Sequence, residues 1–137
     1  MRIWIARILR RTGILNFDLQ ARSQETFPDP SALGQGEIVV VDDSGIKKWV
    51  CLLCPGGCGA NIALSLNPDR RPRWRILVDF WLRPTVEPSV HQTNSCGCHF
   101  FIRRGCIEWC HGGRPPQTRE TPNQNGEKTK KSIQAHK

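Results

Sequence analysis

The placement of the cysteines constrains this chain more than any other feature. All seven lie between Cys51 and Cys110, concentrated in two turns, CLLCPGGCG and CGCHF, with strand-forming sequence between them. Thiolate and imidazole donors presented by two turns are what a tetrahedral zinc site requires. The glycines let the backbone curl around the donors, and Pro55 fixes the entry angle. The leading ligand set is Cys54, Cys58, Cys96 and His99, with Zn2+ as the metal. Alternatives stay open. Cys51-x-x-Cys54 is itself a metal-knuckle spacing, and Cys98 can stand in for His99 or Cys96. Cys51, Cys106 and Cys110 read as small apolar core thiols.

An odd cysteine count without an apolar leader argues against a disulfide framework and for a reduced, cytoplasmic setting. The opening MRIWIARILRRTG is interrupted by Arg2, Arg7, Arg10 and Arg11 and is too short to span a bilayer, so no membrane partner is expected. Its apolar residues recur at helical spacing, giving a basic amphipathic segment that is expected to pack loosely. Residues 1–30 therefore form a basic extension, closed by Phe27-Pro28-Asp29-Pro30.

Residues 31–110 read as one small, mainly β domain of short antiparallel strands carrying the two knuckle-like turns. The β-branched run 36–42 and the segment 47–53 flank Asp43-Ser44-Gly45, a hairpin pattern. Residues 61–66 alternate with a period of two, 74–80 give a fourth strand, and 85–87 a short fifth before Pro88. Residues 99–103 and 106–109 flank Arg104-Gly105, another hairpin signal. From 111 to 137 apolar residues are too sparse to offset the entropy of ordering, and a disordered tail is expected. A domain this small gains from a metal staple.

The formal charge of +8 is concentrated partly in the arginine-rich start and in Lys128, Lys130 and Lys131. Such ends allow phosphate contacts, so a basic zinc-ribbon-like nucleic-acid binder is one class of function. A second is a non-catalytic zinc module that binds a protein partner. Arg70, Arg71, Arg73 and Arg75 crowd around Trp74, and Arg70, Arg71 and Trp74 are the candidate binding residues for an acidic peptide or a carboxylate terminus.

Catalysis is the third class. A zinc hydrolase needs an open coordination position and a base; Glu108 is the candidate base, Glu87 its alternative, and Asn94 and Ser95 are candidate oxyanion donors. Ser89 and His91 lie two apart, so on a strand they share a face, and Ser89 with His91 or His99 supplies the residue types of a serine mechanism. Cys98, beside a metal-bound neighbour, is a candidate low-pKa thiolate.

The order GEIVVV, CPGGCG, LSLNPDRRPRW, PSV and CxxHFFIRRGxIxW, over residues 34–110, resembles a bacterial family of uncharacterised domains often mislabelled ammonia monooxygenase. Its members lie beside ubiquitin-like conjugation genes in antiphage defence operons. The resemblance implies a peptidase that processes or removes a ubiquitin-like protein, with Cys54, Cys58, Cys96 and His99 at metal-site positions. Two departures stand out. The family turn commonly has a cysteine where this chain has Gly56, and a serine where it has Cys98.

Overall fold

The computed structural model describes residues 1–93 and 96–115, and within them the chain forms two four-stranded sheets. In chain order the elements are α1 (Arg2–Arg11), β1 (Gln20–Gln24), β2 (Glu37–Asp43), β3 (Ile46–Leu53), β4 (Asn61–Ser65), β5 (Arg75–Val78), β6 (Pro84–His91), β7 (His99–Arg103) and β8 (Cys106–Trp109). The sheets are ordered β1-β2-β3-β4 and β5-β6-β7-β8. The expected mainly β architecture is present.

Two tight turns set the hairpins. Ser44-Gly45 and Arg104-Gly105 have φ of 56°, 84°, 47° and 75°, the left-handed pair that matches the twist of two-residue hairpins. The apolar faces of the sheets meet in one core. Ile38, Val40, Val50, Leu52 and Leu64 come from the first sheet; Ile76, Val86, Val90, Phe100 and Ile102 come from the second. Phe100 is fully buried, and truncating such a ring to alanine costs about 3–5 kcal/mol. A smaller cluster on the other face of the first sheet joins Val39, Val41 and Cys51 to Leu33. Burial pushes the Cys51 thiol up to about 11, the behaviour of a core thiol rather than a ligand.

The packed structure extends beyond both expected boundaries. Gln20–Gln24, which lacks a β-branched run, forms β1 by pairing parallel with β2. Phe17, Leu19 and Ala21 upstream of residue 31 are buried. The backbone N–H groups of Asp18 and Leu19 donate to the Gly105 carbonyl, and that of Ala21 to Leu82, so this segment ties the first sheet to the second. Gly105 has no room for a side chain, since a Cβ there would lie 2.6 Å from the Leu19 carbonyl oxygen. Tertiary pairing, not local propensity, makes this strand. At the other end Gly113 is buried and Arg114 lies over the Trp109 ring; the rest of the expected tail lies outside the described residues.

The start of the chain is a helix, but a thinly attached one, with Ala6 as its buried residue. Among the described residues no helix is long and apolar enough to cross a membrane.

Candidate functional site

Strand alternation organises the site. On β7, Phe100 and Ile102 point into the core, so His99 and Phe101 point to the outer face of the second sheet. Cys98, one residue before His99, is fully buried with Phe100. Consecutive residues of one segment thus serve opposite sides of the sheet.

On β6 the ladder is irregular. Val86 pairs with Ile102 and Val90 with Phe100, so three residues, Glu87 to Ser89, stand opposite one on β7. This bulge accommodates Pro88, which has no N–H to give a ladder, and it extends the strand past the expected end at residue 87 to His91. Bulges re-aim side chains, and here the aim is specific: Ser89 Oγ lies 3.0 Å from His99 Nε2. Trp74 Nε1 donates to the Ser89 carbonyl at 3.3 Å, bracing this stretch of β6.

His99 is held on all sides. Its N–H donates to the Gly113 carbonyl at 2.9 Å, and its carbonyl accepts from the Cys110 N–H at 3.0 Å. A Cβ at Gly113 would fall 2.2 Å from the His99 carbonyl oxygen, so only glycine permits this approach. The His91 ring, opposite on β6, stacks on His99 with centroids 4.6 Å apart and planes 19° from parallel. Among the described residues no carboxylate hydrogen-bonds His99. Backbone tethers and ring stacking orient the imidazole instead.

On the inner side the thiols converge. The β3–β4 turn is tightened by Gly57 and Gly59, at φ of 85° and 77°, and it brings Cys54 and Cys58 to Cys96 with all three sulfurs within 4.8 Å of one another. Cys54 Sγ lies 3.8 Å from Cys96 Sγ and 3.3 Å from Cys98 Sγ, and Cys96 Sγ lies 3.1 Å from Cys98 Sγ. A tetrahedral site with Zn–S near 2.3 Å has sulfurs about 3.8 Å apart; Cys54, Cys58 and Cys96 lie together on that scale with Cys98 against two of them, which makes the thiols a candidate metal site. Burial, then hydrogen bonds to Cys96 and Cys54, push the Cys98 thiol up. A side chain at position 56 would put its Cβ 2.4 Å from Cys98 Sγ; Gly56 and Cys98 therefore share one space.

The ligand set read from sequence is thus regrouped. Cys54, Cys58 and Cys96 come together, Cys98 lies against Cys54 and Cys96, and His99 turns away to Ser89. Gln92, just past the end of β6, binds the cluster twice: its N–H donates to the Cys98 carbonyl and its Oε1 accepts from the Cys54 thiol at 2.9 Å.

The carboxylates do not reach this chemistry. Glu108 pairs with Arg103, and Glu87 with Arg75 at 3.4 Å, exposed contacts of the kind that contribute about 0–1 kcal/mol. Asn94 and Ser95 lie outside the described residues. Arg70, Arg71 and Trp74 do not share a surface site: Arg70 lines a hollow with Lys47, Lys48 and Trp49, Arg71 Nη1 donates to the carbonyls of Pro68 and Arg70, and Trp74 serves Ser89. Gly113 and Gln92 escaped the sequence reading because their roles are backbone contacts and a single long-range bond, which leave no local pattern.

No curated protein and no solved structure matches the chain. A family profile matches residues 23–110, more than half of it and the whole of the Ser–His and thiol constellation. The chain belongs to that family, described as BubE, the bacterial ubiquitination-like system serine protease.

Proposed function

We propose that this protein is a serine peptidase in which Ser89 is the nucleophile and His99 its base, while Cys54, Cys58, Cys96 and Cys98 hold a structural zinc ion. The observation that carries this is the 3.0 Å approach of Ser89 Oγ to His99 Nε2 on an outward face. His99 Nε2 takes the Ser89 proton as Oγ attacks a substrate carbonyl, then returns it to the leaving amine; water resolves the resulting acyl-enzyme by the same base. His91 stacking and the Gly113 and Cys110 backbone contacts supply the orientation that a carboxylate provides elsewhere.

A bound zinc ion supplies cross-linking rather than an activated water, since four sulfurs leave no coordination position open. Gly56 and Cys98 share one space, so a thiol at 98 replaces the cysteine that related turns carry at 56. The cross-link ties the β3–β4 turn to the segment that leads directly into His99. It thereby fixes the base against Ser89.

The substrate is a polypeptide bond of a ubiquitin-like protein or its conjugate, following the family's description. β5 pairs with β6 over Pro84–Glu87, so among the described residues Ser89 to His91 have no strand partner on that side, and an extended chain terminus can pair there. A fluorophosphonate probe tests the core of the proposal. Mass spectrometry should place the adduct on Ser89, and Ser89→Ala should abolish both labelling and cleavage of a ubiquitin-like precursor. Cleavage that survives Ser89→Ala and stops with chelator would instead establish metal-based hydrolysis.

A further inference from the structure

Beside the Ser–His pair lies a hollow of about 470 Å³, lined by Arg73, Arg75, Glu87, Pro88, Phe101 and Arg103, among others. Pro88 immediately precedes Ser89, and Phe101 leaves β7 on the same face as His99. The hollow is therefore continuous with the outward face that carries the nucleophile.

Its charge is unbalanced. Three guanidinium groups face one carboxylate, and that carboxylate, Glu87, is held only by an exposed contact to Arg75 at 3.4 Å. Arg103 pairs with Glu108 outside the hollow and lies over the Phe101 ring with its guanidinium carbon 4.3 Å from the centroid. Arg73 makes no ion pair among the described residues. Guanidinium groups bind carboxylates through paired, charge-assisted hydrogen bonds, and the Phe101 and Pro88 surfaces suit the methylene stem of a side chain.

We propose that this hollow is the specificity pocket of the site and takes an acidic side chain, glutamate or aspartate, next to the scissile bond of an extended substrate. The proposal rests on the serine-peptidase reading for the scissile bond and its register over Ser89; the pocket's preference for a carboxylate stands on Arg73, which makes no ion pair among the described residues, with Arg75 and Arg103 beside it. A carboxylate seated there both neutralises the surplus charge and fixes the register of the substrate carbonyl over Ser89 Oγ. The selectivity is thus electrostatic and sensitive to salt.

The test uses the full chain with Ser89→Ala and fluorescein-labelled extended peptides that carry a single glutamate at successive positions, each with a glutamine twin. Anisotropy should show one register in which glutamate binds at least about tenfold tighter than glutamine, the scale of one charge-assisted contact. Arg73→Ala should remove most of that preference, and so should added salt. Equal binding of every twin, or a preference untouched by Arg73→Ala, would overturn the pocket. A single-stranded oligonucleotide that outcompetes the glutamate peptide with the same Arg73 dependence would overturn it in favour of phosphate recognition. Fluorophosphonate labelling of the Ser89-containing protein is read separately. Labelling without glutamate preference removes the pocket and leaves the peptidase; glutamate preference without labelling removes the peptidase and leaves an acidic-peptide site.

Discussion

The thiol cluster and the Ser–His pair are built from the same short segment yet obey opposite rules. Cys98 and His99 are neighbours, and alternation on entering β7 sends one into the core and the other to the outer face. The cluster is made of one donor type and runs from the buried Cys54 and Cys98 to the exposed Cys58, an arrangement suited to holding. The pair consists of two different groups on the outer face, set by a bulge, an arrangement suited to reacting. The comparison teaches that the CGCHF string is not one knuckle. It is the end of the thiol-bearing loop and the start of the strand that carries His99.

The sharpest way to break that division is to remove the reacting half alone. Ser89→Ala and His99→Ala should each lower cleavage by at least about 10⁴-fold, with bound zinc and thermal midpoint close to the parent's. If His99→Ala releases zinc, the histidine belongs to the cluster after all. The converse experiment strips the holding half. Chelation, or Cys58→Ser, should destabilise the protein by several kcal/mol, because structural zinc binding is coupled to folding. Activity should fall in step with the folded fraction followed by circular dichroism. Loss of turnover in protein that remains fully folded would assign the metal to the chemistry.

A smaller effect sharpens the link between the halves. Gly113→Ala must displace the His99 backbone, since its Cβ would lie 2.2 Å from the carbonyl oxygen. A drop in kcat of about 10- to 100-fold, with zinc retained, is expected for a misplaced base. Smaller again is Glu108→Gln, which removes only an exposed pair with Arg103. Cleavage should stay within about threefold and stability within about 1 kcal/mol. A collapse of activity would reinstate Glu108 as a base.

The least effect concerns Cys51, a thiol of neither group. Its pKa is raised by burial to about 11 in the folded state, so it adds stability below the ordinary thiol value of 9.0, and that contribution is lost as pH rises through about 11. Urea midpoints measured across that window should decline less for Cys51→Ala than for the parent, and after chelation Cys58 should alkylate well before Cys51.

Local chemistry was strong enough to specify a good deal from the sequence alone. The β-branched run 36–42, the alternating 61–66, the Ser44-Gly45 and Arg104-Gly105 turns and the two cysteine-bearing loops each encode their conformation within a few residues. Three of the clustered thiols, and Ser89 with His99 as one of two histidine pairings, were legible in the same way. Side-chain partnership was not. The choice of Cys98 over His99 at the cluster depends on which side of β7 each residue leaves, and hence on where that strand begins. The Ser89–His99 contact depends on a bulge that only the β6–β7 register reveals. β1 exists because β2 offers a parallel edge to Gln20–Gln24, whose own sequence has little strand preference. Glu108 was drawn away by an arginine across the hairpin. Propensity and spacing act over a few residues and fixed the elements and the donors; packing of the two sheets acts over the whole chain and decided which thiols cluster and which histidine meets Ser89.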